Sequence, residues 1–245
     1  MGSRRAAEER KRRVPLLDLA CRGGRVYIAG RTYATKGNSG LVWNLFLRAV
    51  DILGLILLIL IFPIPFYWFL IHPAISFWRR VGTRWYLIAL PVWGGLGMLL
   101  VTEQQWVFAG RIQRSAWTWA LGAGLFFFAI WLEIKRRRTF SHQLLLGIPE
   151  LKPGHPTGAV IRSGVYGYVR HPRYLECMMT LVAFAALTGS AGYLSVAILS
   201  VLLYQMVAPL EERELRARYG KAYEDYAREV PRFLPRLVRR GKPQL

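Results

Sequence analysis

The sequence predicts an all-α, polytopic membrane helical bundle of about five transmembrane helices, followed by a C-terminal amphipathic helix. Three observations predict it. Apolar residues make up 53% of the 245 positions, and they are bunched into runs long enough to cross a bilayer. Lys and Arg number 34 against 14 Asp and Glu, a net charge of +20, and the basic residues lie almost wholly between those runs. Tryptophans such as Trp117, Trp119 and Trp131 stand near run ends, as they do in the two interfacial belts of membrane helices. A charge this large also occurs in nucleic-acid-binding proteins. Basic residues confined to the connections between apolar runs fit a juxtamembrane position instead, so no nucleic-acid partner is expected.

Residues 1–40 form a basic polar N-terminal tail rich in Arg and Gly. No apolar segment of the signal-peptide type precedes residue 41, so a cleaved leader is not expected. The tail receives no fold from its pattern, and its charge suits anionic headgroups. Residues 41–138 hold the N-terminal transmembrane helices. The run 42–71 is apolar apart from Asn44, Arg48 and Asp51, and it exceeds the ~20 residues one crossing needs. Pro63 and Pro65 predict a kink or a turn inside it. The run 85–101 is a short span with Gly94, Gly95 and Gly97, small surfaces that let helices approach closely. The run 116–134 is stopped by basic residues 135–138.

Residues 139–245 form the third region, expected to be catalytic and cofactor-binding. A polar connection over 139–173, rich in Gly and Pro, is long enough to be functional. A helical hairpin over 174–188 and 193–210 follows, turning at Gly189, Ser190, Ala191 and Gly192. In 211–230, Leu215, Tyr219, Tyr223, Tyr226 and Val230 recur at steps of four, four, three and four. That spacing predicts one amphipathic helix lying in the interface or over a site. With five crossings, 21 basic residues share the side of the last two connections and 13 lie opposite; a reversal near Pro63 would make this 32 against 2. The positive-inside rule favours the reversal and six crossings. The 37 residues from 42 to 78 are barely enough for two crossings, so one kinked passage is expected.

A hairpin returns the chain to its starting side. Arg170 and His171 before it therefore meet Glu211 and Glu212 after it at one mouth. Ionisable groups at membrane depth are costly and mark a functional site by default. Pro172 disfavours a helical conformation in the residue before it, which frees His171 to face a pocket. Arg170 offers a planar two-point fork for a carboxylate. Plainer roles stand beside these: Arg170 and Arg173 as topological anchors, His171 as a helix cap, and Glu211, Glu212 and Glu214 as a solvated helix start. Packing is the expected role of the tyrosine stripe. Cys21 and Cys177 make no disulfide framework, and His72, His142, His155 and His171 have no metal-ligand spacing, so no metal is expected.

The run Gly164-x-Tyr166-x-x-Val169-Arg170-His171-Pro172-x-Tyr174, then Glu211-Glu212, Tyr219-Gly220-x-x-Tyr223-x-x-Tyr226 and Val230-Pro231-Arg232, resembles the integral-membrane S-adenosylmethionine-dependent methyltransferases. That superfamily includes isoprenylcysteine carboxyl methyltransferases and phospholipid N-methyltransferases. The resemblance covers about 155–237. It implies S-adenosylmethionine as methyl donor, lined by Tyr166, His171, Pro172, Tyr174, Glu211 and Glu212, with Arg170 and Glu212 in catalysis. Gly122 and Gly124 match a Gly-x-Gly element of the phospholipid enzymes. The implied acceptor is lipophilic or small, a carboxylate, amine or thiol, most like the isoprenylcysteine enzymes. The implied site lies at the cytoplasmic face of the inner membrane in a bacterium, or of the endoplasmic reticulum in a eukaryote. An NADPH-dependent reductase of the sterol type and a non-catalytic membrane scaffold are the alternatives. The acceptor's identity, a general base and the oligomeric state stay open.

Overall fold

In hydrocarbon a backbone must satisfy its own polar groups, so the apolar runs become helices. A computed structural model of the protein describes residues 25–28, 31–34, 37–138 and 160–235. Helices α1 (Gly37–Ile61) and α2 (Pro63–Ile71) form the first run. A 3-10 turn at His72–Ala74, helix α3 (Ile75–Val81) and a second 3-10 turn at Gly82–Trp85 lead to α4 (Tyr86–Thr102) and α5 (Gln104–Val107). Helix α6 (Ala116–Arg137) is opened by a capping box between Ser115 and Thr118, which satisfies amides the first turn leaves unpaired. After a 3-10 turn at Gly164–Gly167 come α7 (Pro172–Thr188), α8 (Ala191–Tyr219) and α9 (Lys221–Glu229). Among the described residues three stretches are long and apolar enough to cross a membrane: Gly40–Trp78, Ala116–Arg137 and Ala191–Tyr219, with Leu87–Thr102 a shorter apolar helix. This is an integral membrane protein of all-α type.

Side-chain contacts fix the direction of each helix. Gly54 of α1 lies against Phe184 and Thr188 near the end of α7 and against Tyr193 near the start of α8. Further along, Tyr204 of α8 donates its hydroxyl to the Ile61 carbonyl at 3.0 Å. Beyond α2, His72 reaches Glu214 near the other end of α8. The first run therefore passes once from the hairpin turn to the mouth, and no reversal occurs at Pro63. Phe62 keeps helical torsions, φ −59° and ψ −37°, and still donates to Leu58 at 2.8 Å. Pro63 occupies the first position of α2, where its missing N–H is least disruptive.

Helix α4 runs back. Ala89 shares a core with Tyr174, Trp93 donates to the Ile59 carbonyl at 3.1 Å, and Leu100 packs with Phe184 and Tyr193. Helix α6 returns beside α7, from Arg114 bonded to the Thr188 carbonyl to Arg136 bonded to Glu176. With α7 and α8 the described residues make five passages between the two ends of the bundle. The end opposite the mouth is tied by Ser190, which donates to the Val107 carbonyl at 2.8 Å, and by Gly192, whose amide donates to Ala109 at 3.0 Å. Arg114 also stands 3.4 Å from the buried Asp51.

Within the tail, to which the sequence pattern gave no fold, the described residues Arg25–Ile28 pair antiparallel with Arg31–Ala34, and α1 begins at Gly37. One expectation is corrected. The single amphipathic helix expected over 211–230 is two. Its first part is the end of α8, and Gly220, at φ 55°, breaks the chain before α9. Glycine adopts that conformation without the steric cost of a side chain. The apolar stripe survives the break, because Tyr223, Tyr226 and Val230 still pack with Leu215, Tyr219 and Val160.

Gly122 marks a close approach of α6 to α7. A Cβ there would lie 2.7 Å from Leu187 Cγ and 3.0 Å from the Ala183 carbonyl oxygen, whereas one at Gly124 would meet nothing within 4 Å. Gly122→Ala is therefore expected to destabilise the bundle by about 1–3 kcal/mol. Gly124→Ala is expected to be neutral or slightly stabilising, because Ala favours the helix. Thermal unfolding in detergent measures both, and equal midpoints for the two variants would refute the packing role of Gly122.

Candidate active site

Pro172 occupies the first turn of α7 and His171 is its N-cap, at φ −120° and ψ 63°. His171 is thus outside the helix, as the proline predicts. The two residues before Pro172 are fastened to the chain beyond α9: the Arg170 amide donates to the Pro231 carbonyl at 2.9 Å, and the His171 amide to the Arg232 carbonyl at 3.1 Å. The Arg-His-Pro and Val-Pro-Arg elements are therefore two strands of one clamp. Glu211 and Glu212 face it from the last turns of α8.

Glu212 is the hub. Its side chain is fully buried, and Arg232 grips it with two parallel bonds, Nε to Oε1 at 2.9 Å and Nη2 to Oε2 at 2.8 Å. Arg170 Nη1 lies 3.2 Å from Oε1, His171 Nε2 3.1 Å from Oε1, and Arg216 Nη2 3.4 Å from Oε2. A buried carboxylate persists only when paired and hydrogen-bonded, and this one has three guanidinium groups and an imidazole around it.

His171 sits between the two glutamates, with Nδ1 3.3 Å from Glu211 Oε2. Burial alone would lower its pKa, but the charges and hydrogen bonds of Glu211 and Glu212 outweigh burial and raise it above the ordinary 6.5. Its ring stacks on Tyr174 at 5.3 Å between centroids and 2° between planes, with Phe233 at 5.8 Å. Two donors in this neighbourhood, Arg170 Nε and the Tyr223 hydroxyl, are buried without a hydrogen bond, and Glu211 Oε2, also buried, has the His171 Nδ1 ion pair at 3.3 Å beside it. Each such donor costs about 1–3 kcal/mol unless a ligand or water satisfies it.

The structure brings together Arg170, His171, Pro172, Tyr174, Glu211 and Glu212. Tyr166, half-buried in the 3-10 turn, joins their edge: its carbonyl accepts from Tyr226 at 2.8 Å, and its phenol lies in the field of Glu211 on one side and Arg136 on the other. Burial is the largest influence on that phenol and pushes its pKa up. Gly122 and Gly124 are not brought to this cluster. Gly122 faces Ala183 and Leu187, about three to four and a half turns along α7 from His171.

Arg232 stands in the Val-Pro-Arg element, and the sequence pattern gives it no role of its own. Its signal was a proline and an arginine together just after the tyrosine stripe. His72 gave no local signal at all. It stacks on Trp68 at 4.9 Å and reaches Glu214, 142 residues away, at 3.0 Å.

Residues 117–222 match the family described as phospholipid methyltransferase. Among curated relatives, a methanethiol S-methyltransferase of Pseudomonas deceptionensis is 29% identical over 174 residues, 68% of this chain and 56% of that protein. Methanethiol S-methyltransferase 2 of Bradyrhizobium diazoefficiens is 38% identical over 78 residues, 32% of this chain and 29% of its own length. The protein-S-isoprenylcysteine O-methyltransferase of Schizosaccharomyces pombe is 29% identical over 79 residues, 31% of this chain and 33% of that protein. The chain thus spans from 29% to 56% of the length of these relatives. No solved structure matches it.

Proposed function

We propose that this chain, with its phospholipid-methyltransferase domain over residues 117–222, moves a methyl group from S-adenosylmethionine to a small or lipophilic acceptor, foremost a thiol. One observation carries the donor reading: the unsatisfied buried atoms beside a saturated carboxylate. Glu211 Oε2, beside His171 Nδ1 at 3.3 Å, can accept a further bond, while Arg170 Nε and the Tyr223 hydroxyl can donate. That set is complementary to the ammonium and carboxylate of an amino-acid head. S-adenosylmethionine carries such a head, and when bound it supplies an electrophilic methyl on a sulfonium.

In this reading Glu211 receives the ammonium, and Arg170 with Tyr223 receives the carboxylate. Glu212 does not touch the donor. It holds Arg170, His171 and Arg232 in place, so that the pocket is rigid before anything binds. The clamp between 170–171 and 231–232 shields the site from water. The thiol acceptor rests on the relatives named for methanethiol, one of which aligns with 68% of this chain. The excess of basic residues at the mouth, 21 against 13, supports a cytoplasmic site.

Calorimetry on the purified protein in nanodiscs tests the donor. Wild type is expected to bind S-adenosylmethionine and not NADPH. Glu211→Gln is expected to bind it more weakly by about 2–5 kcal/mol, with a smaller fall in unfolding midpoint than Glu212→Gln. Undiminished affinity in Glu211→Gln, or NADPH as the ligand, would defeat the proposal.

A further inference from the structure

Glu133 and Arg136 in the last turns of α6, with Glu176 in the first turns of α7, form a second polar cluster that the donor site leaves unused. Arg136 is 3% exposed. Its Nε lies 3.2 Å from Glu176 Oε2, its Nη2 pairs with Glu133, and its Nη1 is buried without a hydrogen bond. Glu133 also pairs with Arg137, which is largely exposed. A buried guanidinium flanked by two carboxylates, with one N–H unanswered, is more than helix packing requires. Glu176 lies five positions after His171 along the chain, and the Tyr166 phenol feels the charges of both Arg136 and Glu211. Trp131 and Ile134, exposed on the outer side of α6, give the seam an apolar border suited to a lipophilic or small apolar molecule.

We infer that this cluster receives the methyl acceptor, a neutral thiol, and that the Glu176 carboxylate takes the proton which that thiol must lose. The inference rests on the donor reading above. As the acceptor sulfur forms its bond to the methyl carbon, the bond from that carbon to the donor sulfonium breaks. Its electron pair stays on the donor sulfur, which leaves as a neutral thioether. The S–H proton passes to Glu176, so the product is a neutral methyl thioether rather than a sulfonium. Arg136 Nη1 stabilises the negative charge that grows on the acceptor sulfur. The charged and titratable groups facing Glu176 are Glu133 and Arg136 from α6, Tyr166 from the 3-10 turn and Cys177 from α7, with Arg137 paired to Glu133 and Arg173 acting on Tyr166 and Cys177. Tyr204 of α8 faces Cys177.

The test uses the full chain in nanodiscs, labelled S-adenosylmethionine and methanethiol over a range of pH. Glu176→Gln is expected to bind S-adenosylmethionine as wild type does and to lose about a hundredfold in turnover at neutral pH. Its rate should climb toward wild type as pH rises and the thiol ionises in solution. Glu176→Asp should recover part of the loss. Full turnover by Glu176→Gln at neutral pH overturns the inference. So does a loss that no rise in pH restores, since that would make Glu176 a lock between α6 and α7. Where Glu176→Gln does not fold, the Glu176→Asp profile decides: a displaced onset supports proton transfer, and a profile identical to wild type rejects it. A wild-type protein that does not bind S-adenosylmethionine refutes the donor reading itself. One that binds the donor but does not methylate methanethiol refutes the thiol acceptor alone.

Discussion

Glu212→Gln is expected to abolish methyl transfer and to lower folding stability by about 3–5 kcal/mol. The Glu212 carboxylate is fully buried and meets Arg232, Arg170, His171 and Arg216 at 2.8–3.4 Å. Glutamine keeps the shape but removes the charge that balances them. Arg170 and Arg232 would then stand as buried or half-buried cations around a neutral amide, and His171 would lose one of the two groups that keep its pKa high. Removing one partner from a buried ion pair is costly because the other stays behind. Thermal unfolding in detergent alongside turnover separates this from Glu211→Gln, which should lose donor affinity with a smaller loss of stability. A Glu212→Gln protein that unfolds at the wild-type temperature would show that the carboxylate is no hub. The motif places both glutamates on the donor; the proposal above divides them, with Glu211 on the donor and Glu212 holding the clamp residues.

Arg170→Lys is expected to stay inserted and folded while losing about a hundredfold or more in transfer, the usual range for removing a well-placed donor. The clamp bond from the residue 170 amide to the Pro231 carbonyl uses backbone only, so the substitution does not disturb it. A lysine ammonium can reach Glu212, where Arg170 Nη1 now lies at 3.2 Å. It cannot also present an N–H along the line of the unsatisfied Nε, because it lacks the planar fork. Arg216→Lys is the control. Arg216 is more exposed than Arg170, stands 3.4 Å from Glu212, and should change turnover little. Full activity in Arg170→Lys with saturating donor and acceptor would reduce Arg170 to a topological anchor.

Several features were legible because they depend on local physics. Run length and charge placement specify membrane helices without reference to any partner. Pro172 excludes His171 from the helix by steric contact with its neighbour alone, and the structure has His171 at φ −120°. A hairpin returns to its starting side by geometry, which brings Arg170 and His171 to Glu211 and Glu212. Other features depend on which helix faces which. Prolines at 63 and 65 permit a kink or a reversal equally, and only Gly54 against Tyr193 at one end and His72 against Glu214 at the other make it a single passage. The stripe from Leu215 to Val230 has the same period in one helix or in two that share a face, and the turn at Gly220 decided between them. The Gly122 and Gly124 pair reads alike as a cofactor element or a packing seam until Leu187 and Ala183 are in place. Arg232 became the main partner of Glu212 through a contact twenty residues apart along the chain. Sequence determines what each segment does against water and lipid. Which buried charge meets which depends on helix rotation and depth, and those are settled only when all five passages pack together.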